Sequence, residues 1–208
     1  MKILITAGPT REALDPVRYL SNHSSGKMGY ALAAAAVEAR HQVLLISGPC
    51  ALDLPKGVDL LPVESAAEMY QAVENYLIRH DVAIFAAAVA DYSPAEVSPQ
   101  KIKKSAEELT LRLVKTKDIL GSARDLMGFT GKLIGFAAET ENLEINARKK
   151  LQRKKADLII ANDVSRPDIG FASEENEVLL VYPDRSVPIP QADKHHLAHQ
   201  LIEIIEDL

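Results

Sequence analysis

The sequence predicts an α/β fold in three layers, a mostly parallel sheet covered by helices on both faces, with an antiparallel hairpin late in the chain. Three observations predict it. Short apolar runs alternate with longer helical patterns, the order expected of parallel strands joined by crossover helices. Several of the runs are continuously apolar, as strands covered on both faces must be. The segment VLLVYPDRSVPIP (178–190) sets two apolar runs around Pro183-Asp184-Arg185, a turn-forming centre that suits a hairpin.

Each element follows in order. A first strand over 3–7 leads into a loop about twice the usual length of a strand-to-helix connection, and then into an Ala- and Leu-rich helix over 26–40. Strands over 42–47 and 58–63 precede a helix over 66–79, where Ser65 is placed as N-cap and Glu68 stands three residues on. A strand over 82–88 ends in small residues, and a further strand is expected over 109–114. Helices over 118–127 and 140–155 alternate with strands over 133–137 and 158–161, and the helix over 193–207 follows the hairpin. No repeat, low-complexity tract or linker interrupts this order, so residues 1–208 are expected to form one domain.

Composition excludes several classes of function. A net charge of −5, with four Phe, six Tyr and no Trp, gives neither the bulk attraction nor the stacking surface that nucleic-acid binding needs. Cys50 is the single cysteine, which rules out an intramolecular disulfide and fits a reducing compartment. The apolar run in MKILITAG is too short for a signal peptide, and no stretch nears the roughly 20 apolar residues that span a bilayer. A cytoplasmic location without membrane contact is expected.

In open sheets of this kind ligands bind beyond the carboxyl ends of the strands. The first such loop contains SNHSSGKMGYA (21–31). It is not a Walker loop, because Met28 follows Gly26-Lys27 and Ser21 holds the place of the first glycine. Nor is it a dinucleotide fingerprint, because no glycine lies two residues after Gly8. Ser24, Ser25, Gly26 and Gly29 lie where the helix begins, and free backbone N–H groups there attract anions. Arg11, Arg18 and Lys27 add positive charge, and Asn22 offers an amide that donates and accepts. The same residues would also serve as cap, packing glycine and solvated charges.

At the second loop the small residues of VAIFAAAVADYSP (82–94) would let a ligand lie against the backbone or let a helix pack closely. Beyond it, SPAEVSPQKIKK (93–104) is denied regular structure by Pro94 and Pro99. Its crowded Lys101, Lys103 and Lys104 suit either a solvated face or a lid over phosphates. Lys150 and Lys154 stand four residues apart on one helical face. Alone they fit cations near a helix C-terminus; beside the strand end GFAAET (135–140) they also fit a polyphosphate dock. His195 and His199 share metal-binding spacing, but no acidic or cysteine partner stands at matching spacing, and they read as an exposed helix face.

The motifs ITAGPTREALDPVRYLSNHSSGKMG, AAAVADY, KIKK, GFAAET and DLIIANDVS occur here in the order found in bacterial phosphopantothenate–cysteine ligases, and the chain resembles that family over essentially its whole length. The resemblance implies a Rossmann-like α/β domain. It implies ligation of 4′-phosphopantothenate to L-cysteine with CTP and Mg²⁺, through an acyl-cytidylate, releasing CMP and pyrophosphate in coenzyme A biosynthesis. It implies that Asn22 supports the acyl-cytidylate and its attack by cysteine, and that Lys101, on a mobile loop, closes over the triphosphate. Nucleotide contacts are implied for Phe85, Ala86, Ala87, Asp91, Lys117, Asp118, Ile119, Leu120, Phe136, Lys150 and Lys154. Arg18, Ser24, Gly26 and Lys27 are assigned to the phosphopantothenate end, and Mg²⁺ to the triphosphate itself. Thr116-Lys117 stands where Asn-Pro is common in the family. Many relatives carry a flavin-containing decarboxylase domain ahead of this one; no such domain and no flavin are expected here. The family is dimeric, and an edge strand near 178–190 is the expected contact. Two other readings predict different behaviour: a nicotinamide or flavin oxidoreductase, and a CTP sensor without turnover.

Overall fold

The structure, a computed structural model, describes residues 1–104, 107–165 and 173–208. In chain order the first half comprises β1 (Lys2–Ala7), β2 (Arg11–Ala13), β3 (Tyr19–Ser21), α1 (Lys27–Glu38), β4 (Gln42–Ser47), β5 (Val58–Pro62) and α2 (Ala66–Tyr76). A 3-10 turn (Leu77–Arg79) follows α2. Then come β6 (Val82–Phe85), β7 (Tyr92–Pro94), β8 (Leu113–Lys115), α3 (Ile119–Asp125), β9 (Lys132–Glu139), α4 (Leu143–Lys154), β10 (Leu158–Asp163), β11 (Glu175–Val181), β12 (Ser186–Asp193) and α5 (Lys194–Glu206).

Among the described residues, eight strands form one sheet in the order β12-β11-β10-β9-β6-β1-β4-β5. From β5 to β10 every pairing is parallel, whereas β11 runs antiparallel to both β10 and β12, as the hairpin pattern required. The continuous apolar runs are the central strands: β6 is buried at every residue, and β1 at all but its first. One face of the sheet is covered by α1 and α5, whose Leu32, Ala33, Ala36, Leu197, Leu201 and Ile205 join Ile3, Ile5 and Ile84 in one cluster. Residues of α2, α3 and α4 (among them Met69, Val73, Leu120 and Leu151) cover the other face with Leu4, Ala83 and Leu133. Each fully buried Leu or Ile contributes about 1.5–3 kcal/mol over leaving it exposed.

Local chemistry explains the helix starts. The Ser65 hydroxyl accepts from Glu68 N while a Glu68 carboxylate oxygen accepts from Glu64 N, so the expected cap holds at one end and shifts by one residue at the other. A buried Glu12 carboxylate accepts from Ala66 N and ties the first loop to the same helix start. No helix among the described residues is long and apolar enough to cross a membrane.

Three expectations are corrected. The strand over 82–88 stops at Phe85, beyond which only an isolated Pro9–Ala88 bridge continues the β1–β6 pairing. The strand over 109–114 shrinks to β8, which pairs antiparallel with β7 outside the main sheet. Its apolar run finds no place in the core: Leu109, Leu111, Leu113 and Val114 are all exposed. Pro94 therefore does not abolish strand structure in its segment, because β7 is half of a two-stranded ribbon with a free edge. The long first loop also contains an unexpected hairpin, β2 paired with β3.

Candidate active site

Connections from β1 and β6 leave the sheet in opposite directions, β1 leading to β4 and β6 towards β9. In open α/β sheets, such a divergence marks the place beyond the strand ends where ligands bind. The loops beyond the two strands are laced together: Ala88 N donates to Gly8 O (2.9 Å) and Thr10 N to Ala88 O (3.3 Å). Two buried threonines on the first segment take the next donors. Thr6 Oγ1 accepts from Ala87 N (3.3 Å) and Thr10 Oγ1 from Ala90 N (3.0 Å). Phe85 is buried, while Ala86 and Ala87 are half-buried at the lip. Asn22 reaches this lip directly, its Nδ2 donating to Ala88 O (2.9 Å) and Val89 O (3.2 Å). Two carbonyl acceptors fix which end of the amide is nitrogen.

The turn that brings Asn22 there depends on Gly26. It is the N-cap of α1 with φ 79°, in the left-handed region that suits glycine. A Cβ on Gly26 would collide with the Cys50 sulfur, and one on Gly8 (φ 73°) would lie 2.6 Å from the same atom. The thiol thus fills the floor beneath both glycines, and burial pushes its pKa up. Gly26→Ala is expected to cost about 3 kcal/mol from the backbone strain and the clash together, read as a lower denaturant midpoint at unchanged slope.

A buried carboxylate, Asp15, organises the middle of the first loop. It accepts from Val17 N (2.8 Å), Arg18 N (2.9 Å), Arg18 Nε (3.0 Å), Arg18 Nη2 (2.6 Å) and Ile102 N (3.0 Å). Burial alone would raise its pKa; the hydrogen bonds from Ile102, Val17 and Arg18 outweigh it and hold the carboxyl well below the usual carboxylate range. Arg18 Nη2 also donates to Ile102 O (2.5 Å), and Ser98 N donates to Leu14 O (2.9 Å). The segment bearing exposed Lys101 is therefore fastened to the first loop on either side of that lysine. Arg18, expected at the substrate, commits its guanidinium to this fastening.

The remaining lysines converge from α4. Lys150 Nζ donates to Phe136 O (2.7 Å) within β9, one residue beyond the point where β6 ends beside it, and Lys154 pairs with the Asp118 carboxylate. Burial lowers the pKa of both, opposed at Lys150 by Glu139 and Asp91 and at Lys154 by Asp91. Far from a solvated face, they line the inner side of α4, within electrostatic reach of exposed Asp91. Asp118 also caps α3, accepting from Gly121 N (2.9 Å). Lys117 lies over the Tyr70 ring at 4.4 Å from its centre. Ile119 and Leu120 are core side chains, so a ligand would meet them only through backbone.

At the start of α1, Ser24 Oγ accepts from Gly26 N (3.3 Å), and Lys27 pairs with Glu174 at 2.5 Å. Lys194, at the start of α5, lies near enough to Lys27 for the two charges to interact, and burial foremost lowers its pKa. The fold thus draws Asn22, the 85–91 strand end, Lys101, Phe136, Lys150 and Lys154 to one end of the sheet, whereas Arg18, Lys117, Ile119 and Leu120 have structural partners. Sequence reasoning misses Thr6, Thr10, Asp15 and Lys194. Their roles come from pairing across the fold, and only the Asp15-Pro16 turn chemistry is visible locally.

Comparison with known proteins agrees with this architecture. The coenzyme A biosynthesis bifunctional protein CoaBC of Vibrio vulnificus (strain YJ016) is 48% identical over 208 residues, which covers 99% of this chain and 52% of the relative. The chain thus spans about half the length of the curated relatives it matches. A solved structure, the crystal structure of the C-terminal domain of CoaBC, superposes with a TM-score of 0.84 at 42% identity, covering 99% of this chain and 94% of the other. The DNA/pantothenate metabolism flavoprotein from Streptococcus pneumoniae superposes with a TM-score of 0.86 at 27% identity, covering 100% of this chain and 99% of the other. The profile of the DNA/pantothenate metabolism flavoprotein C-terminal domain matches residues 1–208, and the chain belongs to that family.

Proposed function

We propose that residues 1–208 act as one synthetase domain that ligates 4′-phosphopantothenate to L-cysteine with CTP, in coenzyme A biosynthesis. The observation that carries this reading is the placement of half-buried Lys150 and buried Lys154 at the same sheet end as the Asn22 amide and the small-residue lip. A triphosphate brings far more counter-charge to these two ammonium groups than the single carboxylate of Asp118, and small residues leave room for a nucleotide against the backbone.

In the first step a substrate carboxylate oxygen attacks the α-phosphorus of CTP. The new O–P bond forms as the bond to the β-phosphate oxygen breaks, and pyrophosphate leaves. In the second step the cysteine amine attacks the activated acyl carbon; the C–N bond forms, the C–O bond to CMP breaks, and the amine loses a proton. Both steps gather negative charge on oxygen, where donors fixed in advance act most. Lys101, Lys150 and Lys154 serve the triphosphate, and Asn22 serves the acyl-cytidylate and its attack. Mg²⁺ prefers oxygen donors, so it fits the triphosphate, with exposed Asp91 as the nearby carboxylate; bound there it would offset the phosphate charge.

Pyrophosphate release tests this reading. Release that needs CTP, Mg²⁺ and phosphopantothenate together, and rises on adding cysteine, supports it; CTP binding without release would move the assignment to a nucleotide sensor.

We also propose a homodimer built on the β7–β8 ribbon. Exposed Tyr92, Val97, Leu109, Leu111, Leu113 and Val114 gather around it, more large apolar side chains than the outer strand β12 offers. Sedimentation at micromolar concentration is expected to give a dimer, and Leu111→Glu together with Leu113→Glu a monomer. A monomeric wild type contradicts the proposal.

A further inference from the structure

The histidine pair on α5 gains in three dimensions the acidic partner that spacing alone denied it. His195 and His199 lie one turn apart with ring centroids 4.7 Å from each other. Glu38, the last residue of α1, reaches across from the neighbouring helix and places Oε2 3.0 Å from His199 Nε2. One ligand atom from each of the three side chains falls within 4.8 Å of the others.

We propose that Glu38, His195 and His199 form a surface site for a divalent transition-metal ion, Zn²⁺ in the first instance, that bridges α1 to α5. Two imidazole nitrogens and one carboxylate oxygen are a donor set that zinc accepts, with a fourth position left to water. Tetrahedral zinc with bonds of about 2.0–2.2 Å needs its ligand atoms roughly 3.4 Å apart. Closing from the present separation takes only rotation of side chains that are exposed or half-exposed, because both helices are already fixed by packing on one sheet face. Zinc at His199 Nε2 takes the neutral ring with its single N–H on Nδ1, and the Glu38 carboxylate then meets the metal in place of the ring nitrogen. Mg²⁺ and Ca²⁺, which favour oxygen ligands, should compete poorly.

The site is separate from the proposed chemistry. Lys27, at the active-site end, opens α1, and Glu38 closes it after 12 residues, roughly 18 Å along the helix. Zinc there would staple α5 to α1, adding stability that grows with the logarithm of free zinc above the dissociation constant.

The test uses the full chain freed of metal and titrated with zinc chloride by calorimetry, with cobalt(II) as a spectroscopic substitute. One zinc per chain is expected, with visible cobalt bands of tetrahedral type and a melting temperature raised by zinc. His199→Ala should weaken binding by about tenfold or more and abolish the zinc-dependent rise in melting temperature. Glu38→Gln should weaken binding less, and both variants should keep the far-ultraviolet dichroism and turnover of the wild type. Absence of zinc binding in the wild type would overturn the proposal, as would binding that survives the joint replacement of His195 and His199 by alanine.

Discussion

Asp15→Asn is expected to cut turnover by roughly two orders of magnitude while CTP affinity falls far less. Asp15 touches no reacting atom in the proposed reaction. It is a positioning residue whose carboxylate receives donors from both the first loop and Ile102, next to Lys101. An asparagine side chain of the same shape turns one acceptor oxygen into a donor, which then faces the donors that Asp15 satisfied and leaves the Arg18 charge without its partner. Lys101 remains on the chain but loses the fixed placement on which transition-state stabilisation depends, so the loss falls on kcat rather than on binding. Trypsin offers an independent readout, because Lys101, Lys103 and Lys104 are cleavage sites in the fastened segment. Cleavage there should quicken in Asp15→Asn at unchanged global fold. A variant with ordinary turnover and ordinary cleavage would show that the fastening is idle. The sign with pH follows from the depressed pKa: the contribution of Asp15 to stability is present above the usual carboxylate range and is lost as pH falls through it and below.

Asn22→Ala is expected to lower turnover by about 10²-fold, because its two N–H groups fix the Ala88 and Val89 carbonyls and its remaining oxygen is an acceptor for the attacking amine of the proposed reaction. The amide holds two carbonyls at the lip of the proposed nucleotide site, so its removal frees the lip as well as taking away the polar group that the proposed reaction presents to the acyl-cytidylate. CTP binding, which the proposed function assigns to lysines on other elements, should persist. Rapid-quench analysis should then show CMP-activated phosphopantothenate accumulating, because attack by cysteine is impaired more than activation. If pyrophosphate release and amide formation stay at wild-type rates, Asn22 has no place in the chemistry.

The sheet was largely legible because its central strands carry their own signature: continuous apolar runs such as 3–7 and 82–85 can only be covered on both faces. The strand of the β7–β8 ribbon was misread on a different signal, the alternation of Leu109, Leu111 and Leu113 with Thr110 and Arg112. Leu109, Leu111 and Leu113 look like core residues in sequence, yet they lie on a surface that this chain does not cover, and no single-chain pattern distinguishes the two cases. At the site, the residues that share one loop were legible from polarity and spacing. The meeting of Lys150 with Phe136 and of Lys154 with Asp118 was expected only through the GFAAET motif and the family resemblance, and that of Asp15 with Ile102 not at all, because each joins segments distant in sequence. Glu38 and the histidines of α5 show the limit most plainly: the spacing of His195 and His199 read as an exposed helix face, and only helix packing brought Glu38 to His199.

Whether the carboxylate is activated at the α-phosphate can be decided by following an oxygen atom. Phosphopantothenate labelled with ¹⁸O in its carboxylate is turned over with CTP, Mg²⁺ and cysteine, and the products are weighed by mass spectrometry. An acyl-cytidylate requires that one labelled oxygen appear in CMP, that the other stay in the new amide, and that pyrophosphate carry none. Label in orthophosphate, with CDP as the nucleotide product, would place the attack at the γ-phosphate and contradict the intermediate on which the assignments of Asn22, Lys101, Lys150 and Lys154 rest.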